Sequence, residues 1–139
     1  MKSTLVDAGP LIALFDKRDQ YHLTAINFLK GYSGNLLTTW PVITEASHML
    51  SFSTNAQVNL LTWMQRGGLQ ISDLDQTHLV RLIELSQQFS DVPMDLADAS
   101  LIVASEKYGI REIASIDSDF YVYRDIRNQF LVNVFPRQS

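Results

Sequence analysis

Val92-Pro93-Met94-Asp95-Leu96-Ala97-Asp98-Ala99-Ser100-Leu101-Ile102-Val103-Ala104, continued through Ile116-Asp117-Ser118-Asp119-Phe120, places acids where a core should be. From Ala97 to Tyr108 the residues are mostly Ala, Leu, Ile, Val and Ser, the composition of a buried helix. The 3.6-residue period nevertheless puts Asp98 on the same face as Leu101, Ile102 and Ser105. A lone buried carboxylate costs several kcal/mol unless it is paired, protonated or holding a cation. Asp95 stands one turn earlier, where it also reads as a helix N-cap, with Asp98 in the first turn beside the positive end of the helix dipole. Gly109 reads as the helix stop. Glu112 to Ile116 then reads as a short buried strand with Asp117 at its C-terminal end.

The start of the chain repeats that arrangement. Ser3-Thr4-Leu5-Val6 is predicted as a strand, Asp7 ends it, and Pro10 opens a helix over Leu11 to Phe15. A second helix spans Tyr21 to Leu29, and Leu36 to Thr39 is the second strand. Pro41 to Leu50 is predicted as a helix whose Glu45 shares a face with Val42 and Met49, a third carboxylate on an apolar stripe. Helices over Asn55 to Gln65 and Gln76 to Phe89 enclose a short strand at Leu69 to Ile71, and Phe130 to Phe135 is the last strand. Strand and helix alternate throughout. The expected fold is therefore α/β, a mostly parallel sheet with helices on both faces in three layers. Ligands gather outside the carboxyl ends of such strands, where Asp7 and Asp117 both fall.

Composition bounds the function. A chain of 139 residues, 46% hydrophobic and 19% charged, suits one globular domain spanning 1–139. It has no Cys, which excludes disulfides, thiolate metal sites and Cys nucleophiles. No run approaches the ~18 apolar residues of a membrane span, and no signal-peptide pattern opens the chain, so a cytoplasmic protein without a membrane partner is expected. The net charge of −4 conceals a partition. Setting Asp7, Glu45, Asp98 and Asp117 aside as one cation site leaves eleven acids against eleven Lys plus Arg. Arg124, Arg127 and Arg137 are then available to form a positive rim beside that centre.

Four acids thus converge on one sheet edge. In order and spacing, Val6-Asp7-Ala8-Gly9-Pro10-Leu11-Ile12, Thr44-Glu45-Ala46, Met94-Asp95-Leu96-Ala97-Asp98-Ala99 and Ser115-Ile116-Asp117-Ser118-Asp119-Phe120 resemble the acidic motifs of the PIN-domain ribonucleases, particularly the VapC-type toxins of toxin–antitoxin pairs. Ser115 departs from the more usual Thr of that family but keeps the hydroxyl. The resemblance implies a three-layer PIN fold and an endoribonuclease whose catalytic acids are Asp7, Glu45, Asp98 and Asp117. Those four would bind metal, with Asp95 and Asp119 as secondary ligands. It also implies an RNA substrate, cleavage to 5′-phosphate and 3′-hydroxyl ends, a small antitoxin partner and a homodimer.

The donor chemistry agrees with that reading. Carboxylate oxygens suit one or two hard ions such as Mg²⁺ or Mn²⁺, whereas zinc would want the Cys or His cluster that this chain lacks. Such ions polarise a scissile phosphate and lower the pKa of a bound water. His22, His48 and His78 have no ligand spacing, Trp40 and Trp63 read as core or interface anchors, and Ser47 and Ser100 have no accompanying base. A phosphoaspartyl phosphatase or receiver-like domain would need a late Lys, and none follows Lys107. A housekeeping RNA-processing nuclease and a non-catalytic binding module of the same fold stay open. For the dimer, the apolar segments Leu50 to Phe52 and Val58-Leu61-Trp63-Met64 are the expected contact.

Overall fold

A computed structural model describes residues 2–92, 94–116, 120 and 123–136. The predicted Asp117, Asp119 and Arg137 lie outside the described residues. Five strands form one sheet, β1 (Ser3–Val6), β2 (Asn35–Thr38), β3 (Gln70–Ile71), β4 (Glu112–Ala114) and β5 (Val132–Asn133), in the order β3-β2-β1-β4-β5 with every pairing parallel. Six helices flank it: α1 (Ala8–Phe15), α2 (His22–Gly31), α3 (Trp40–Met49), α4 (Thr54–Gln65), α5 (Leu79–Gln88) and α6 (Leu96–Tyr108). None is long and apolar enough to cross a membrane.

The connections explain where a site can form. The chain steps from β1 to β2 to β3 in one direction, then jumps back across β1 to place β4 on its other side. Right-handed crossovers put the helices of opposite steps on opposite faces of the sheet. The strand order therefore reverses between β1 and β4, and their C-terminal ends border the crevice that such a reversal opens. Register is set by Thr4 opposite Glu112, Leu5 opposite Ile113 and Val6 opposite Ala114.

α6 is the central helix. Ala97 through Ser105 are all buried, so the helix is covered on every side, as its composition predicts. Gly109 ends it in the left-handed region at φ 66°, with its N–H bonded to the Ser105 carbonyl. Several boundaries shift for local reasons. α1 begins at Ala8 rather than after Pro10, because Asp7 caps it and Pro10, in the first turn, has no intrahelical partner to lose. The predicted helix over 76–89 divides into a 3₁₀ turn (Gln76–His78) and α5, since Asp75 and His78 form a reciprocal cap at its start.

Candidate active site

Two carboxylates are buried at the β1/β4 edge. Asp7 directly follows β1, and its own N–H continues the ladder to the Ala114 carbonyl at 3.0 Å. Its side chain turns back as the N-cap of α1, where Oδ1 accepts the Ala8 N–H at 2.8 Å. Oδ2 accepts the hydroxyl of Ser115, the first residue past β4, at 2.9 Å. Asp7 is thus fixed from both strands and is only 6% exposed.

Asp98 comes from the first turn of α6 and is 7% exposed. It and Asp95 form a capping box: Asp98 N–H donates to Asp95 Oδ1 at 2.8 Å, and Asp95 N–H to Asp98 Oδ2 at 3.2 Å. The phenol of Tyr123 also donates to Asp98 Oδ2, at 3.3 Å. That ring is fully buried and held edge-on by Phe89 and Phe120, each with centroids 5.3 Å away. Burial first, then the negative charge of Asp95, then that of Asp7, pushes the Asp98 carboxyl from 3.8 up to about 8. Asp7 and Asp98 are therefore electrostatic neighbours, brought together from opposite ends of the chain. Nearby, the hydroxyls of Thr39 and Ser100 meet at 2.6 Å and tie the start of α3 to α6.

The other predicted residues fare differently. Asp95 is exposed and serves as the cap, so the helix-start reading and the buried-acid reading hold for adjacent members of one box. Glu45 is exposed, at the margin of the buried stripe Val42, Ile43 and Ala46 of α3 rather than on it. Of the expected Arg rim, Arg124 and Arg127 are described, and their neighbours lie on the C-terminal segment and the far part of α6. Arg127 lies beside Glu106, Gly109 and Arg111, two turns or more along α6 from Asp98, while Arg124 covers the Phe130 ring at 5.1 Å and bonds Asn128. The histidines are structural or surface groups: His22 Nδ1 meets the Ala13 carbonyl at 2.7 Å, His78 completes the Asp75 cap and His48 is exposed. Trp63 packs on Phe15, whereas Trp40 is 58% exposed and so is no core residue.

Two contributors went unread. Tyr123 lies 25 residues beyond Asp98, and no local pattern links them. Asn133, in the last strand, bonds the backbone of Ser115 through both ends of its amide. Only the odd placement of a carboxamide in an otherwise apolar strand marked it.

The donors present suit a hard divalent ion. Asp7 and Asp98 offer carboxylate oxygens with Ser and Tyr hydroxyls around them, and Mg²⁺ is commonly held by one or two carboxylates together with waters and substrate phosphates. A cation would also offset the burial and the neighbouring negative charges that raise the Asp98 carboxyl. Among the described residues no group of three or more His, Asp or Glu converges as a metal cluster.

A model of the PIN domain matches residues 4–126, most of the chain. The chain belongs to the PIN-domain family. This PIN domain shares its fold with solved structures, among them Mycobacterium tuberculosis VapC20, a toxin that cleaves the sarcin–ricin loop. That likeness has a TM-score of 0.78 at 18% identity, over 86% of this chain and 93% of the other. VapBC2 of Rickettsia felis, solved with a DNA fragment from its promoter, aligns at a TM-score of 0.62 and 13% identity, over 94% of this PIN domain and 98% of that chain. No curated protein matches by sequence. Membership of the PIN family sets aside the receiver-like alternative.

Proposed function

We propose that this PIN domain is a Mg²⁺- or Mn²⁺-dependent endoribonuclease and the toxin of a toxin–antitoxin pair. The observation that carries it is the buried pair of carboxyl groups, Asp7 and Asp98, at the strand reversal, the second pushed up to about 8 by burial and by its acidic neighbours. A purely structural role would not call for two buried, mutually repelling carboxylates at the one edge where this architecture binds ligands.

Asp7 and Asp98 would hold the ion, with Glu45 and Asp117 completing the set and Asp95 and Asp119 as outer members. A bound Mg²⁺ or Mn²⁺ supplies positive charge at the scissile phosphate and a water acidic enough to react near neutral pH. Ser115 and Tyr123 aim the two carboxyl groups by donating to their Oδ2 atoms, which fixes their direction. Hydrolysis would add water across a P–O3′ bond, leaving a 5′-phosphate and a 3′-hydroxyl. The fold shared with VapC toxins supports the reading of a toxin held by an antitoxin. An Arg-bearing segment of such a partner would pair with the same acids.

The test is RNA cleavage by the purified protein with Mg²⁺, Mn²⁺ or excess chelator, in wild type and in Asp98→Asn. Cleavage only with metal and only in the wild type is expected, and undiminished activity in chelator or in the variant would overturn the metal-nuclease reading. Expression should arrest growth, and the small gene beside this one should relieve it. Equal growth with wild type and Asp7→Asn at matched protein levels would instead mark a housekeeping nuclease.

A further inference from the structure

We infer that Asn133 is a positioning residue for the acidic centre, acting through Ser115 on Asp7; the inference rests on the nuclease reading above. The regular ladder between β4 and β5 runs Val132 N–H to the Arg111 carbonyl and Val134 N–H to the Ile113 carbonyl, both at 2.8 Å. The next donor in that series is the N–H of residue 136, and its acceptor would be the Ser115 carbonyl. Residue 136 is proline and has no N–H. β5 would therefore lose its grip on β4 at the residue whose hydroxyl bonds Asp7.

The Asn133 side chain supplies what the backbone lacks. Its Nδ2 donates to the Ser115 carbonyl at 2.9 Å, and its Oδ1 accepts the Ser115 N–H at 3.1 Å. The same Oδ1 accepts the Phe135 N–H at 3.0 Å, a local turn that leads β5 away from β4. One carboxamide thus stands in for a peptide unit, clamps both polar groups of the Ser115 backbone and compensates for the proline beyond it. With that backbone fixed, Ser115 Oγ reaches Asp7 Oδ2 at 2.9 Å. Without it, β5 would no longer hold the Ser115 backbone from which the hydroxyl reaches Asp7.

The experiment is a double-mutant cycle of Asn133→Ala and Ser115→Ala, read by kcat and KM on RNA, by Mn²⁺ affinity from calorimetry and by exchange of the Ser115 amide hydrogen. Outer partners of metal ligands typically contribute about 10–100-fold to activity or metal affinity. Each single variant should lose about that much in kcat and in Mn²⁺ affinity with little change in KM, and the double variant should lose no more than either. Ser115 amide exchange should speed up in Asn133→Ala. Asn133→Asp, which keeps the acceptor and loses the donor, should fall between wild type and Asn133→Ala, and it serves as the working variant should Asn133→Ala not fold. Additive losses, or a lowered melting temperature with kcat and Mn²⁺ affinity unchanged, would overturn the inference. A wild type that cleaves no RNA would overturn the nuclease reading instead, and the metal-affinity and exchange arms would still decide the role of Asn133.

Discussion

Asp95 and Asp98 accept each other's backbone N–H, at 2.8 and 3.2 Å, so the buried acid of the site is also half of the cap that starts α6. The two duties separate by substitution. Asp95→Ser keeps an N-cap oxygen and removes a charge, whereas Asp95→Ala removes both. The alanine variant should be less stable than the serine variant by about 1 kcal/mol in urea unfolding. Both should lower the Asp98 pKa, because the second-largest cause raising it is the Asp95 charge. Equal stability of the two would mean that the cap contributes nothing.

Stability should depend on pH through Asp98. In the ion-free protein its carboxyl is raised from 3.8 to about 8, so the folded chain binds this proton more tightly than the unfolded one. The contribution is full below about pH 4 and is lost as pH climbs towards about 8. Urea midpoints measured in chelator should therefore decline across that window in the wild type more steeply than in Asp98→Asn. Saturating Mg²⁺ should remove most of the difference. Parallel profiles for the two proteins would contradict the raised pKa.

Arg81 holds Glu106 through two bonds, Nε to Oε1 at 2.9 Å and Nη2 to Oε2 at 2.8 Å, and Glu106 Oε2 also accepts the Ile126 N–H at 2.7 Å. The pair joins α5, α6 and the segment carrying Arg127. Its side chains are mostly covered, so removing one partner should cost more than breaking a surface pair. Arg81→Ala is expected to destabilise by about 2 kcal/mol, and Glu106→Ala by at least as much with faster proteolysis at 124–130. Surface-like values of a few tenths of a kcal/mol in urea unfolding would show the pair to be solvated.

Self-association should use a narrower patch than the sequence suggests. Leu50 is fully buried and Trp63 packs inward on Phe15, but Met49, Phe52, Val58 and Leu61 are each about half exposed. An apolar surface of that kind, on α3, α4 and the turn between them, favours a symmetric contact between two copies. Light scattering at tens of micromolar should report a dimer for the wild type and a monomer for Phe52→Glu with Leu61→Glu. A monomeric wild type would remove the proposal.

How much was legible follows from the range of each signal. The strand-end position of Asp7 and the apolar run around Asp98 are local patterns, and the fold kept both where period and composition put them. Glu45 shows the limit, because periodicity names a face but not how much of it a neighbour covers, and α3 buries only the stripe beside it. Leu50 and Trp63 err in the opposite direction for the same reason. Tyr123 and Asn133 depend on contacts 25 and 18 residues away, which no window of helical or strand length contains. In sequence Pro136 merely follows the last strand, whereas the lost donor it implies becomes visible only against the register of β4.

The bond from Ser115 to Asp7 spans 108 residues of chain. Asp7 is made long before β4, the serine beyond it and Asp98. A nascent chain that has formed β1, β2 and β3 holds its first carboxylate only by the local cap to Ala8, without the Ser115 hydroxyl and without the second acid beside it. Non-local pairings of this kind also form late in folding, because the entropy of closing so long a loop must be met first. In a domain built this way the acidic pair is assembled only by the long-range closure that completes the sheet, so the site and the fold form together.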